Sequence, residues 1–398
     1  MVEYNPYAYA AHEDPYPIYR ALRAEAPVYR NDALGFWALS RHADVLAAFR
    51  DPVRFSNRNG VSLDPAAWTP AAQATMSFLA MDPPRHTRMR ALVSRGFTPR
   101  RIADLEPRIR EVARQHIDRF IDAGRCDFIR DFAGKLPMDV ISEMLGVPEA
   151  DRDTLRRWAD AVVHREEGIT DVPPAALEAA AAILGYFNDH VAECRARPRN
   201  DLTGALLAAE IDGDRLTDYE VLGFLFLMII AGNETTTKLL GNALYWLWRH
   251  PDQRALVRAD PTLVARWVEE TLRYDGSTQA LARTVTADVE LHGHTLRAGD
   301  RAVLLVGSGN RDERVFSDAD RFDLGRDTSA MLSFGQGTHF CLGAALARLE
   351  SRVALEAVHA RLPDYEIDAA NLVRVHSVNV RGFAAMPIEF TRSAARSA

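Results

Sequence analysis

A ten-residue stretch around one cysteine constrains the fold of this chain more than any other segment. It reads Phe-Gly-Gln-Gly-Thr-His-Phe-Cys-Leu-Gly and spans residues 334–343. Gly335 and Gly337 allow tight backbone bends that a residue with a Cβ disfavours. Cys341 lies just before an apolar-periodic run, residues 342–353, that predicts a helix. The positive end of that helix and its unpaired N–H groups are expected to favour the thiolate of Cys341.

The stretch resembles the heme signature of the cytochromes P450, Phe-x-x-Gly-x-His-x-Cys-x-Gly. The matching positions are Phe334, Gly337, His339, Cys341 and Gly343. Taken alone, a cysteine of this kind is more often an inert buried thiol than a ligand. Further motifs of the family follow in the right order, from about residue 14 to about residue 390. The resemblance implies heme b, with Phe334 and Gly337 in its binding loop and the Cys341 thiolate as axial ligand of the iron.

Helical periodicity dominates the chain. It covers residues 99–260 almost throughout, while short strand patterns occupy 27–30, 36–40 and 285–306. No repeat or low-complexity linker divides the sequence. We therefore predict one domain over the whole chain, mainly α with small β-sheets, ending in a disordered tail at 393–398. The resemblance implies the cytochrome P450 fold, with heme between a long central helix and the cysteine loop.

Composition and cysteine usage narrow the class of protein. The net charge of −7 predicts no broad basic surface for nucleic acid. Cys126, Cys194 and Cys341 form neither a disulfide framework nor a zinc pattern, which fits a reducing compartment. The first residues lack a signal peptide and a membrane anchor. The apolar run 221–231 is shorter than the roughly 20 residues of a bilayer span and predicts a buried helix. We expect a cytoplasmic monomer that does not bind a membrane.

Basic residues at separated positions match the ligands of the heme propionates. His86 and Arg90 stand at i and i+4, on one face of a predicted helix. By itself this pair fits a solvated helix face equally well. In the P450 pattern, His86, Arg90, Arg283 and His339 are the four propionate ligands. Buried propionates need such partners because an unpaired buried charge is costly.

The central helix contains Ala231-Gly-Asn-Glu-Thr-Thr-Thr237, a poor helix sequence. The bland interpretation is a kink or cap. The stretch also resembles the P450 motif of the dioxygen groove, in which Ala231 and Gly232 leave room for the ligand. Glu234 then matches the acid and Thr235 the alcohol that together supply protons for the reduction of dioxygen.

Glu270 and Arg273 are adjacent on one helix face at i and i+3. Alone this is a weak signal, because such pairs are common on solvated helices. In the P450 pattern it is the Glu-x-x-Arg pair of a buried structural network, whose third member is predicted to be Arg321. Loss of either partner is expected to unfold the heme site.

The substrate pocket is predicted by position alone. The long stretch 56–84, in which Trp68 and Phe78 look exposed, is expected to roof it. The candidate wall residues are Phe78, Leu79, Ile230, Ala231, Leu281 and Val380. Apart from Ala231, each is better explained as plain core than as a substrate contact.

The implied activity is that of an external monooxygenase. It would take two electrons and dioxygen and hydroxylate or epoxidise a mid-sized hydrophobic small molecule, in secondary metabolism. No flavin, nicotinamide or iron–sulfur motif is present, so electrons would come from a ferredoxin or flavodoxin and its NAD(P)H-dependent reductase. An arginine patch would steer such an acidic partner. Its predicted members are Arg95, Arg100, Arg101, Arg348 and Arg352.

Two other functions remain open from the sequence. The same fold could perform oxidative coupling or desaturation without net oxygen insertion. A heme-bound sensor without enzymatic activity is the second, disfavoured by the acid–alcohol pair beneath a long roofing loop.

Overall fold

The computed structural model describes residues 2–211 and 213–391, which are mainly helical. The α-helices are α1 (Tyr9–Glu13), α2 (Tyr16–Glu25), α3 (His42–Arg50), α4 (Gln73–Met76), α5 (Arg85–Ser94), α6 (Pro99–Ala103), α7 (Glu106–Phe120), α8 (Leu136–Leu145), α9 (Glu149–Val163), α10 (Pro174–Ala196), α11 (Leu202–Ala208), α12 (Asp218–Arg249), α13 (Pro251–Ala259), α14 (Val264–Asp275), α15 (Val306–Gly309) and α16 (Ala344–Arg361). The strands are β1 (Val28–Asn31), β2 (Phe36–Leu39), β3 (Phe55–Ser56), β4 (Arg125–Asp127), β5 (Glu210–Ile211), β6 (Asp214–Arg215), β7 (Ala280–Val285), β8 (Val289–Leu291), β9 (His294–Leu296), β10 (Arg301–Leu305), β11 (Tyr365–Ile367), β12 (Val373–Arg374), β13 (Phe383–Ala385) and β14 (Pro387–Phe390). The predicted mainly α class is confirmed. The predicted tail at 393–398 lies outside the described residues.

Helix α12 passes between the two largest apolar clusters of the described chain. Its first half, from Val221 to Ile229, packs with α9 and α10 in one cluster. Its second half, from Leu239 to Leu247, packs with α7, α14 and α16 in the other. A capping box fixes its start, since Thr217 and Glu220 exchange side-chain and backbone hydrogen bonds. The middle of α12 is thereby held between the clusters, where the acid–alcohol motif lies.

The sheets are small and lie beside the helices. The largest has the order β1-β2-β10-β7-β3, and a second has the order β11-β14-β4. Strands β1, β2, β8, β9 and β10 fall within or beside the predicted strand segments. The short strands β4 and β11–β14 were not predicted, because each has at most four residues and β4 finds its partner, β14, in a distant part of the sequence.

The roofing stretch 56–84 contains short helical turns rather than open loop. Phe78 is buried, at 5% exposure, and not exposed as its surroundings in sequence suggested. Its ring lies 5.8 Å from the ring of His86 and 6.2 Å from that of Phe224. Trp68 is half-buried. The predicted buried character of 221–231 is confirmed for most of its residues, and no helix of the described chain is long and apolar enough to cross a bilayer.

Candidate functional site

The cysteine loop is shaped by two glycines with positive φ. Gly335 has φ +67° and Gly337 has φ +70°, a region that residues with a Cβ rarely adopt. A Cβ on Gly337 would also lie 2.9 Å from the carbonyl oxygen of Phe49. The loop closes where the N–H of Cys341 donates to the carbonyl of Phe334 at 2.9 Å. Cys341 is thereby fixed just ahead of the first residue of α16.

The thiol of Cys341 lies in a recess. Protein atoms surround it closely enough for burial to raise its pKa, yet the residue remains accessible. The groups that lower the pKa, but do not offset burial, are the N–H of Gly343, Arg90, Arg348 and the N–H of Ala344. As predicted, the N–H groups of Gly343 and Ala344 favour the thiolate, but burial outweighs them in the free thiol. A bound metal ion deprotonates a coordinating thiol outright, so this donor set still fits an iron ligand.

Four basic side chains from separate elements meet beside this recess. His86 and Arg90 lie on α5, Arg283 lies on β7, and His339 lies in the cysteine loop. The rings of His86 and His339 are 4.3 Å apart. Arg283 is 2% exposed, and its Nη1 donates to the carbonyl of Ala282 at 2.8 Å. The structure thus brings together all four predicted propionate ligands.

The electrostatics of this cluster call for an anion. Burial lowers the pKa of His339 to about 2, reinforced by His86, Arg283 and Arg90. Burial likewise lowers the pKa of His86 to about 4 and that of Arg283 to about 10. Both ring nitrogens of each histidine are buried without a hydrogen-bond partner. Orphaned buried donors beside two arginines fit the two carboxylates of a heme, which would satisfy them.

The acid–alcohol motif lies in the middle of α12. The Thr235 hydroxyl donates to the carbonyl of Ala231 at 2.8 Å, the back-bond that bends helices. The prediction that Gly232 leaves room for a ligand is wrong. A Cβ there would lie 3.2 Å from Cγ1 of Ile141, so the absence of a side chain at Gly232 allows α8 to pack closely against α12.

Glu234 is buried, at 1% exposure, and has two partners. Its Oε1 accepts a hydrogen bond from Nδ2 of Asn233 at 3.1 Å. Its Oε2 lies 2.9 Å from Nζ of Lys238, a contact that is an ion pair rather than an aligned hydrogen bond. Burial raises the pKa of Glu234 to about 7, and Lys238 opposes that rise. Our sequence analysis missed Lys238, although its i+4 spacing from Glu234 could have revealed it.

The Glu270–Arg273 pair is buried and bidentate. Arg273 donates from Nη2 to Oε1 of Glu270 at 2.6 Å and from Nε to Oε2 at 2.8 Å. The predicted third member, Arg321, is wrong, because it contributes only its carbonyl oxygen, at 3.2 Å from Arg273. The third charge is Arg326, whose Nε lies 3.3 Å from Oε1 of Glu270. The network is therefore completed by Arg326, which follows the predicted Arg321 along the same loop.

The predicted pocket residues are distributed over the roof, α12 and the C-terminal region. Leu79, Ile230 and Ala231 are partly buried against the cluster that contains Phe78. Leu281 lies on β7, two residues before Arg283. Val380 pairs with Thr278 in an isolated antiparallel bridge. Their contact with a substrate stays a prediction.

Comparisons with known proteins agree with this site. A family model described as Cytochrome P450 matches residues 175–362. The "Putative cytochrome P450 123" of Mycobacterium tuberculosis is 59% identical over 385 residues, 96% of either chain. Cytochrome P450 monooxygenase PikC of Streptomyces venezuelae is 41% identical, over 95% of this chain and 92% of the relative. The structure of cytochrome P450 CYP109Q5 from Chondromyces apiculatus matches with a TM-score of 0.89 at 38% identity, covering 99% of this chain and 100% of that one.

Proposed function

The chain belongs to the cytochrome P450 family and is a heme-thiolate monooxygenase, and we propose that Cys341 is its axial ligand and that it hydroxylates or epoxidises a mid-sized hydrophobic small molecule of secondary metabolism. The observation that carries the assignment of the ligand is the recessed Cys341 thiol beside four histidine and arginine side chains, none of which forms an ion pair within the described residues. The other two cysteines, Cys126 and Cys194, lie outside this cluster.

The residues divide the work around the heme. His86, Arg90, Arg283 and His339 bind the propionates and hold the ring in register with the cysteine loop. The bound heme supplies dioxygen activation and oxygen transfer, assisted by electron donation from the thiolate. The N–H groups at the start of α16 stabilise the negative sulfur. The protein thereby sets orientation and electrostatics, while the chemistry belongs to the cofactor.

Glu234 and Thr235 supply protons in this proposal. A carboxyl group whose pKa is raised toward neutrality holds a proton that it can release. The Thr235 hydroxyl, one residue further along α12, both accepts and donates a hydrogen bond and can pass the proton on. Glu234 and Thr235 must deliver the protons one after the other, because misdirected protons release hydrogen peroxide in place of the oxidised product.

A spectral binding screen tests the substrate class. The ferric protein is titrated with steroids, fatty acids, macrolides, terpenes and aromatic amino acids while the Soret band is followed. We expect a high-spin shift with a mid-sized apolar class, because Phe78, Leu79, Ile230, Leu281 and Val380 offer apolar contacts. A shift with aromatic amino acids alone would contradict the hydrophobic assignment.

Electrons come from a separate redox partner, which we propose to be a ferredoxin or flavodoxin with its reductase, in the cytoplasm. Helix α6, which carries Arg100 and Arg101, packs on α16 behind the cysteine loop. Both side chains are exposed and neither forms an ion pair within the described part of the chain, so both charges remain available to an acidic partner. By contrast, Arg348 and Arg352 are engaged by carboxylates within this chain, and Arg95 donates to the carbonyl of Glu210. The docking charge of the predicted patch therefore resides mainly on α6.

Reversing both α6 charges, with Arg100→Glu and Arg101→Glu together, is expected to slow reduction by ferredoxin about tenfold at low salt. The difference from wild type should shrink as salt screens the charges. Stopped-flow reduction measures it, and substrate titration should be unchanged. Arg157→Glu, an exposed arginine of α9 away from α16, is the control. Equal reduction rates in the double variant and wild type would contradict docking at α6.

A further inference from the structure

Glu234 is enclosed by the protein. Its side chain is buried and contacts the Asn233 amide and the Lys238 ammonium, and the Asp160 carboxylate also acts on it. The amide carries no acidic proton, whereas the ammonium holds protons that it can pass to a carboxylate in direct contact with it. Lys238 is therefore the proton donor in contact with Glu234.

Lys238 is itself buried, and it leads to the surface through a second carboxylate. Its Nζ lies 3.6 Å from Oδ1 of Asp160, a residue of α9. The side chain of Lys238 is 3% exposed, while that of Asp160 is 46% exposed. The series Asp160, Lys238 and Glu234 thus runs from solvent to the buried acid in contacts of 3.6 and 2.9 Å.

The choice of lysine at position 238 carries chemical information. The chain has 48 lysine and arginine residues, and Lys135 and Lys238 are its two lysines. Arginine does not lose its proton in proteins, whereas lysine can alternate between ammonium and amine.

Lys238 and Glu234 both have a raised pKa. Burial lowers the pKa of Lys238, but Glu234 and Asp160 outweigh it and raise the pKa above its usual value. Asp160 also raises the pKa of Glu234. The further charge on α9 is Arg156, which lies 3.5 Å from Asp160 and 3.6 Å from Asp153. The Asp160 carboxylate is therefore shared between Lys238 and Arg156 while its side chain still meets solvent.

We propose that Asp160 and Lys238 form the solvent-side half of the proton pathway to Glu234. After Glu234 has given up its proton toward Thr235, the Lys238 ammonium donates a proton to the Glu234 carboxylate. In the same step the Lys238 nitrogen takes up a replacement proton from hydronium at the exposed Asp160, so that neither a free amine nor hydroxide is left behind. Only protons move in these steps, and one proton enters from solvent for each one that Glu234 releases. The inference rests on the proposed role of Glu234, and Lys238 acts through that residue as a positioning and relay group.

Asp160→Asn is the primary test, because the exposed side chain can change without disturbing the core. With saturating reduced spinach ferredoxin, we expect dioxygen consumption to fall about tenfold and its ratio between H2O and D2O to rise. The loss should grow with pH, as hydronium becomes scarce. Asp153→Asn is the matched control: it removes the same charge from α9 and the same partner, Arg156, but has no contact with Lys238. A wild-type rate and isotope effect in Asp160→Asn would overturn the proposal.

Variants of the lysine separate a relay from a brace between α9 and α12. Lys238→Met removes charge and proton, and is expected to slow dioxygen consumption at least as much as Asp160→Asn. Lys238→Arg keeps the charge but cannot give up a proton, and is expected to be equally slow. A wild-type rate in Lys238→Arg would overturn the relay and leave a structural ion pair.

Glu234→Gln, measured in parallel, distinguishes the proposed role of Glu234 from the relay through Lys238 and Asp160. If Glu234→Gln leaves dioxygen consumption unchanged, the proposed role of Glu234 fails, and the relay with it. If Glu234→Gln is slow while Asp160→Asn and Lys238→Met match wild type, the relay alone fails.

A measurement without turnover checks the contacts. Lysine labelled with ¹³C at Cε gives two signals, one for each lysine, in the diamagnetic ferrous carbonyl form. We expect the Lys238 signal and its titration to shift in Asp160→Asn and to stay in place in Asp153→Asn. The signal of Lys135 should not move in either variant. An unmoved Lys238 signal in Asp160→Asn would overturn the contact on which the pathway depends.

Discussion

Replacing Arg273 by methionine is expected to destabilise the fold by about 3–5 kcal/mol, because it leaves Glu270 buried without its bidentate partner. Glu270 is 1% exposed and Arg273 is fully buried, so water cannot compensate the stranded carboxylate. Arg273 also donates to the carbonyls of Asn310 and Ala319, at 3.0 and 2.9 Å. Those carbonyls belong to the segment that leads to the cysteine loop, so the heme site should be lost with the fold.

Urea unfolding and heme content measure this effect. Arg110→Met is the control, since it removes an exposed pair with Glu106 that is 46% and 32% exposed, and such pairs contribute about 0–1 kcal/mol. Arg326→Met is expected to fall between the two, because Arg326 lies 3.3 Å from Glu270 but also donates to several carbonyls of its own loop. Wild-type stability and heme content in Arg273→Met would show that the network is dispensable.

Replacing Glu234 by glutamine is expected to lower the rate of product formation by about 10²–10³-fold, within the range that general acid catalysis contributes. The amide keeps the shape and can still accept from Asn233, but it has no acidic proton to supply. In wild type the protonated fraction of Glu234 falls as pH rises through about 7, so the rate should fall in the same direction. Glu234→Gln should lack this pH dependence.

Steady-state rates across neutral pH, with the substrate identified by the spectral screen, measure this effect. Reduction by ferredoxin and the spectrum of the ferrous carbonyl should match wild type, since Glu234 touches neither the docking helix nor Cys341. Thr235→Val provides a companion variant, in which dioxygen should be reduced largely to hydrogen peroxide. A Glu234→Gln enzyme that retains the rate and pH profile of wild type would remove Glu234 from the proton pathway.

The features predictable from sequence were those encoded by short-range spacing. The cysteine loop is one, because two glycines and a following helix define its shape locally. The basic pair His86 and Arg90 is another, because helical spacing places both on one face. The apolar run 221–231 predicted the long central helix, and because this run is too short to span a bilayer it also predicted that the helix is buried.

The remaining features depend on contacts between distant segments. Either Arg321 or Arg326 could complete the buried network as far as the sequence shows. The choice depends on how the loop before Cys341 folds against Glu270. Phe78 looked exposed because the long stretch 56–84 is rich in Asn, Gly, Pro and Ala, but the roof folds inward and buries it beside His86. The raised pKa of Cys341 also arises from tertiary burial, which a helix-terminus argument does not include. The i+4 spacing could have paired Lys238 with Glu234, but its contact with Asp160 of α9 depends on how two distant helices pack.

The absorption spectrum of the reduced, carbon monoxide-treated protein tests the central claim most directly. Wild type should show the strongly red-shifted Soret band of a thiolate-ligated heme, and Cys341→Ser should lose that band. A wild-type Soret band without the red shift, or a purified protein without heme, would contradict the assignment of Cys341 and with it the account of the site.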